Sequence, residues 1–281
     1  MTIQLVTDST AQLTAEEIKK YNIHIIPLVI NNQGESYRDG IEITKEEFLD
    51  KLKNDPEFSP TTSQPAVGDF VELYDEIGKN GDQILSIHLT NLLSGTVEGA
   101  FSAAHQSDAD VTVVDSKLMD RALGEQLILA GELIAAGNDL SSILDQLEEA
   151  RKQKETYIFF ESLDALQRGG RISKVSGMMS KLLKIKVLIK LEDDELKLVA
   201  KGLGQKFMKK TVSELLTKLE NEKLDTFNLI HVGVEDEKLS SITTPLISAH
   251  QKTEFNTSIT SPVVMAHVGL GTFAFIYSKS K

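Results

Sequence analysis

Short apolar runs alternate with amphipathic stretches through the first half of the chain. IQLVT (3–7) is β-rich and stops at Asp8-Ser9-Thr10. A helix is predicted over 15–21, where Thr14 and Glu17 have the spacing of a capping box. IHIIPLVI (23–30) predicts a second buried strand, and Gly34 and Gly40 punctuate the loop after it. TKEEFLDKLK, from Thr44, predicts another capped helix. SPTTSQP (59–65) reads as loop and 67–80 as helix. QILSIHLT (83–90) predicts a strand, followed by the loop Asn91–Gly95 and a helix from Thr96 to His105. DVTVVD (110–115) predicts a strand leading through Ser116 into a long helix to Ala136, with another helix over 141–153.

This alternation is that of a parallel sheet with helices on both faces. Such sheets bind ligands beyond the carboxyl ends of their strands, where Asp8–Thr10, Thr61–Gln64, Thr90–Thr96 and Asp115–Ser116 fall. The second half has another rhythm. TYIFFES (156–162) is a strand, LDALQRGG a short helix ended by a left-handed glycine, and a helix is expected near 175–182. IKVLIKLEDDELKLVAK predicts a hairpin around an acidic turn. Helices follow over 205–221 and 237–250, and NLIHVGV, EFNTSIT, VVMAHVG and FAFIYSK read as strands. The expected fold is α/β: an N-terminal three-layer domain with a parallel sheet (1–160) and a smaller C-terminal α/β domain with a mixed sheet (161–281).

At 281 residues and 41% hydrophobic, the chain is long enough for two well-buried cores. No apolar run approaches the ~20 residues of a membrane helix. The opening MTIQLVTDST has neither the basic start nor the apolar stretch of a secretory signal. The absence of cysteine removes disulfides, thiolate nucleophiles and iron–sulfur clusters. A cytoplasmic setting is expected. Net charge is -12, but residues 1–150 carry -18 and 151–281 carry +6. Segment 168–210 holds 12 basic and 4 acidic residues, which suits an acidic partner, a phosphate or simply a solvated face. An acidic total argues against nucleic acid.

The familiar motifs for nucleotides, zinc proteolysis and serine hydrolysis are absent: no GxGxxG after the first strand, no GxxxxGK[ST], no HExxH, no GxSxG. The six histidines show no metal-ligand spacing, and His24 and His88 alternate with apolar residues as structural histidines do. Hydroxyls at strand-to-helix junctions carry more information. Ser94 and Gly95 precede a helix, whose unpaired amides and partial positive charge suit a carboxylate or phosphate. Glycine there lets a ligand approach the backbone; the plainer reading makes Ser94 or Thr96 a helix cap. Thr61, Thr62, Ser63 and Gln64 crowd hydrogen-bonding side chains before Pro65, which also suits a turn. His267, between an apolar run and a glycine pair, can donate to an anion or pair with backbone.

VTDST (6–10), YRDGIEIT (37–44), TTSQPAVGDF (61–70), LSGT (93–96), VVDSK (113–117), LDALQRGGRIS (163–173), KIKVLI (184–189) and AHVGLGTF (266–273) run in one order across nearly the whole chain. Together they resemble the DegV family. The resemblance implies a two-domain α/β protein holding a long-chain fatty acid in an apolar tunnel between its domains, without a cofactor. It further implies the binding subunit of a bacterial fatty acid kinase serving phospholipid metabolism. A separate kinase subunit would phosphorylate the carboxylate with ATP. On this resemblance Thr62 and Ser94 hydrogen-bond the carboxylate, with Thr61, Ser63, Gly95, His267 and Arg171 in support. No residue of the chain itself would be catalytic. The sequence departs from the family in two places. Gly269-Leu270-Gly271 replaces a Gly-Pro-Gly, and Lys201-Gly202-Leu203 replaces a Lys-x-Arg that bears on kinase docking.

Burying about fourteen methylenes of such a ligand is worth ~11 kcal/mol gross at ~0.8 kcal/mol each, before ordering costs. The tail would therefore supply most of the affinity and the hydroxyls the recognition. Ile158, Phe159, Phe160, Leu183, Ile185, Phe273 and Phe275 are candidates for a tunnel wall, though ordinary core is the better reading of each. An alternative function is a serine-dependent acyl hydrolase using Ser94 as nucleophile and His267 as base. The missing elbow and the lack of an evident acid to orient the histidine weigh against it.

Overall fold

The computed structural model describes residues 2–177, 185–192 and 194–280. In chain order the elements are β1 (Ile3–Asp8), α1 (Ala15–Tyr21), β2 (Ile23–Ile26), β3 (Val29–Asn32), β4 (Glu35–Arg38), α2 (Lys45–Asn54), β5 (Thr61–Ser63), α3 (Val67–Gly78), β6 (Gln83–His88), α4 (Thr96–Ala104), β7 (Asp110–Asp115), α5 (Asp120–Ala135) and α6 (Leu140–Arg151). There follow β8 (Lys154–Phe160), α7 (Asp164–Arg168), β9 (Val175–Ser176), β10 (Lys186–Glu192), β11 (Glu195–Gly202), α8 (Gly204–Leu219), β12 (Leu224–His231), α9 (Asp236–Ala249), β13 (Glu254–Ile259), α10 (Pro262–Val268) and β14 (Phe273–Lys279). The chain folds as two compact units, Met1–Ile43 with Thr62–Lys152, and Thr44–Thr61 with Gln153–Lys281. Because α2 joins the second unit, the C-terminal part is not the smaller one.

In the first unit the sheet order is β2-β1-β6-β7, all parallel. Alternation along the strands sorts the two faces. Leu5, Leu85 and Ile87 pack with Leu123, Leu127, Ile143 and Leu147 of α5 and α6. Val6 and Ile84 pack with Phe70, Tyr74, Ala100 and Ala103 of α3 and α4. The expected three-layer arrangement is observed. Both capping boxes form: Thr14 with Glu17 opens α1, and Thr44 with Glu47 opens α2.

The second unit is built on a seven-stranded mixed sheet, order β13-β12-β14-β8-β10-β11-β9. Its neighbours are antiparallel except β12 with β13 and β11 with β9. One face carries Tyr157, Phe159, Phe227, Phe273, Phe275 and Tyr277, which α8 and α9 cover with Met208, Leu216, Leu219, Ile242 and Leu246. Phe159, Phe273 and Phe275 are therefore core; Ile158, Phe160 and Ile185 are buried outside this cluster. Leu183 lies outside the described residues.

Several sequence expectations change. The run 23–30 is two strands, since Pro27 has no amide to continue the ladder. Gln33 and Gly34, both at positive φ, then turn β3 back onto β4. Residues 61–63, expected as loop, form β5 beside β3. The long helix starts at Asp120, because Lys117 and Asp120 take left-handed φ values of 56° and 55°. At the end of α7 it is Gly170, at φ 73°, that turns left-handed, while Gly169 stays right-handed. Val175 and Ser176 pair with β11 as β9 in place of the helix expected near 175–182, whose remainder past 177 lies outside the described residues. VVMAHVG is helical, not a strand: Ser261 accepts from the Val264 amide and Pro262 occupies the first turn, a helix start written in Ser-Pro. The run is apolar throughout because Pro262 to Ala266 and Val268 are all buried, which hides helical periodicity.

Candidate functional site

The carboxyl ends of β1 and β6 are held by a buried polar chain. A carboxylate only accepts, so the His88 Nδ1–H donates to Asp8 Oδ2 at 3.1 Å. The remaining ring nitrogen then accepts from the Ser86 hydroxyl at 2.7 Å, and Ser86 accepts from Tyr74 at 2.8 Å. Thr10 and the Leu89 amide also donate to Asp8. Burial alone would raise the Asp8 pKa, but the hydrogen bonds from His88, Thr10 and the Leu89 amide hold it below 3.8. Burial pushes Tyr74 up to about 12, so its hydroxyl remains protonated. Phe70 meets His88 edge-on, with centroids 5.3 Å apart. Ser86, His88 and Asp8 mimic the order of a hydrolytic triad, yet all three are fully buried. Their work is to fix the strand ends.

Two of the four polar loops at these ends, Asp8–Thr10 and Asp115–Ser116, are tied up internally, and the start of a third is tied up at Thr90. Thr10 is held by Asp8, and Ser9 bridges Asp39 and the Leu28 amide. Thr90 accepts from the Leu92 amide at 3.2 Å. Ser116 accepts from the Leu118 amide and donates to its carbonyl. The turn before α4 keeps more capacity. Gly95 is the N-cap residue, so no side chain caps that helix. Half-buried Ser94 pairs with the buried Thr96 hydroxyl at 2.9 Å and accepts the Thr96 amide at 3.4 Å. When Thr96 donates, the Ser94 O–H remains available to an anion. Neither partner is a base, so Ser94 is placed to donate, and among the described residues neither of its hydrogen-bond partners activates it as a nucleophile.

Thr61, Thr62 and Ser63 lie on β5, where Ser63 accepts from Asn31 at 3.4 Å and Thr62 is half-buried. Gln64, the next residue, reaches the Ser94–Gly95 turn: its carboxamide fills the place where a Cβ at Gly95 would stand. The segment bearing Thr62 and the turn bearing Ser94 are thus brought together within the first unit. Arg171 and His267 belong to the second unit and meet at Gly169. Arg171 Nη1 donates to the Gly169 carbonyl at 2.7 Å, and the His267 ring lies where a Gly169 side chain would be. Burial, and then the Arg171 charge, lower the His267 pKa to about 4. The ring is neutral at pH 7 and a weak base, which disfavours the hydrolase role. Leu203 and Leu270, the two departures, are exposed.

Sequence reasoning passed over the Asp8–His88–Ser86–Tyr74 chain, which needs two strands to be adjacent. Among the described residues no group of three or more His, Asp or Glu is arranged to hold a metal ion. Nor is any helix there long and apolar enough to cross a membrane.

A sequence model described as an uncharacterised protein family, DegV, matches residues 2–280. The DegV domain-containing protein SA1258 of Staphylococcus aureus is 37% identical over 266 residues, covering 88% of this chain and 94% of that one. Among solved structures, DegV of Bacillus subtilis, described as a fatty acid binding protein, is 32% identical with a TM-score of 0.89 and full coverage of both chains. A Thermus thermophilus DegV family protein, described by its fatty acid binding, is 29% identical with a TM-score of 0.87, again over both full chains. The chain belongs to the DegV family.

Proposed function

We propose that this protein binds a long-chain fatty acid and presents its carboxylate to a separate ATP-dependent kinase subunit, which forms the acyl phosphate. The observation that carries the reading is the full-length likeness to the Bacillus subtilis fatty acid binding protein. The spare hydroxyl of Ser94 beside the Thr62 segment supports it chemically. Thr62 and Ser94 are assigned to the carboxylate, with Thr61, Ser63 and Gly95 beside them and with Arg171 and His267 as candidates on the second unit. The chain holds and orients; the nucleotide chemistry is the partner's.

Denaturing mass spectrometry of the purified protein is expected to release a fatty acid, and the emptied protein to take up added oleate or palmitate. No lipid and no uptake would overturn the reading. With a cognate kinase subunit and ATP, Ser94→Ala and Thr62→Ala are each expected to impair acyl phosphate formation more than oleate binding. Unchanged phosphorylation in both would refute the head-group assignment. Esterase turnover that disappears in Ser94→Ala would favour the hydrolase.

A further inference from the structure

Helices α8 and α9 of the second unit run the same way. Gln205 and Lys238 come together near their starts, and where they finish the His250 ring donates to the Leu219 carbonyl at 3.0 Å. A groove of about 480 Å³ lies between them, a volume in the range of small-molecule sites. Its floor is apolar and buried, made by Met208, Val212 and Leu216 of α8 with Ile242 of α9. Its two ends differ in charge. Lys209 and Lys238 stand towards the helix starts. Glu220 stands at the far end, eleven residues beyond Lys209, roughly 16 Å along the axis at 1.5 Å per residue.

Lys238 is half-buried, and its ammonium lies 4.8 Å from the centre of the Phe273 ring. Among the described residues no carboxylate pairs with it; Glu161 is taken by Lys186 and by Gln205. Burial lowers the Lys238 pKa, and the Glu161 charge offsets this only in part. An anion beside Lys238 would restore what burial takes from the charged form. The far end does the reverse. Pro245 has no amide, so the Ser241 carbonyl lacks its helical donor, and both residues line the groove. That acceptor and Glu220 both repel an anion, so the charge pattern sets one orientation for a ligand.

We propose that this groove is a second binding site, for a small anionic amphiphile whose charged head meets Lys238 and Lys209 and whose apolar body lies along Met208, Val212, Leu216 and Ile242. The site shares no residue with the hydroxyls assigned to the fatty acid carboxylate and does not depend on that assignment.

The test uses the full chain with oleate at saturation, so that a fatty acid site elsewhere is already occupied. The probe is octanoate, followed by amide chemical shifts. Saturable shifts are expected along 205–220 and 236–244. Lys238→Gln should weaken octanoate binding about fivefold, and Lys209→Gln, at an exposed position that folding does not need, about twofold. Glu220→Gln should tighten it by up to about twofold. Ser213→Trp, at an exposed position on the groove wall, should fill the space and abolish the shifts. Octanol, which has the chain without the charge, should bind the parent no more tightly than octanoate binds Lys238→Gln. Octanoate affinity unchanged in both lysine variants, octanol binding as tight as that of octanoate, or shifts that persist in Ser213→Trp would each overturn the proposal. None of these results bears on fatty acid binding, which the oleate titration reads separately. A chain that takes no oleate would undo the functional reading and leave the groove's own result standing.

Discussion

In the first unit the ends of the central strands are held by buried polar side chains, Asp8, His88, Ser86 and Tyr74, whereas the second unit fills the layer under its helices with packed rings. Phe159 stacks on Phe273 at 4.7 Å and tilts against Phe275 at 4.9 Å, and Phe227 meets Phe275 at 5.2 Å. At the partly exposed margin of the second unit, Lys190 and Lys279 flank Glu155 at 2.9 and 3.2 Å. A ring layer derives its stability from area and tolerates no directional demand. A buried hydrogen-bonded chain contributes less net energy but fixes atoms in direction. Directional fixing is found in the unit that carries Ser94 and Thr62.

The contrast can be broken by three substitutions. Phe275→Ala removes a fully buried ring touching Phe159, Phe227 and Phe273 and should cost about 3–5 kcal/mol. Urea unfolding measures this, and a loss below about 1 kcal/mol would show that the layer repacks. Asp8→Asn leaves His88 without its carboxylate and should cost about 2–3 kcal/mol. This substitution also has a pH signature. The folded Asp8 pKa lies below 3.8, so its contribution is complete above that value and is lost as pH falls through the lower folded pKa. Acid titration of stability should therefore have a shallower limb in Asp8→Asn, and identical limbs would contradict the role given to this carboxylate. Glu155→Gln should cost the least, about 1 kcal/mol after solvent screening. Its effect should shrink in 0.5 M salt as the screening length shortens to about 4 Å, whereas that of Asp8→Asn should not. Salt-independent loss at Glu155 would erase the distinction between margin and interior.

The sequence was most readable where local chemistry decides the outcome. β1, β6 and β7 are apolar runs ending in polar residues, and the two Thr-x-x-Glu boxes mark α1 and α2 correctly. It was least readable where burial is complete or pairing is remote. α10 lacks a polar face, so VVMAHV resembles a strand unless Ser-Pro is taken as a start signal. β5 exists only because β3 is beside it. At the site, the hydroxyls at 61–63 and 94 were visible as residue types. The approach of Gln64 to the Ser94–Gly95 turn was not, since it joins distant segments. His88 was legible as structural, but its partners were not.

The excursion of Thr44–Thr61 into the second unit sets an order of events during synthesis. α2 leaves the ribosome early, carrying Phe48 and Leu49, which end up buried, with Phe48 against Phe58 at 5.1 Å. Lys45 finds the Ile259 carbonyl, and α2 packs on α10, only after some two hundred further residues have been made. At about 5–20 residues per second the nascent chain waits roughly ten seconds or more with that apolar face uncovered. Early chaperone capture would be drawn to this short stretch, well before the C-terminal half exists to claim it.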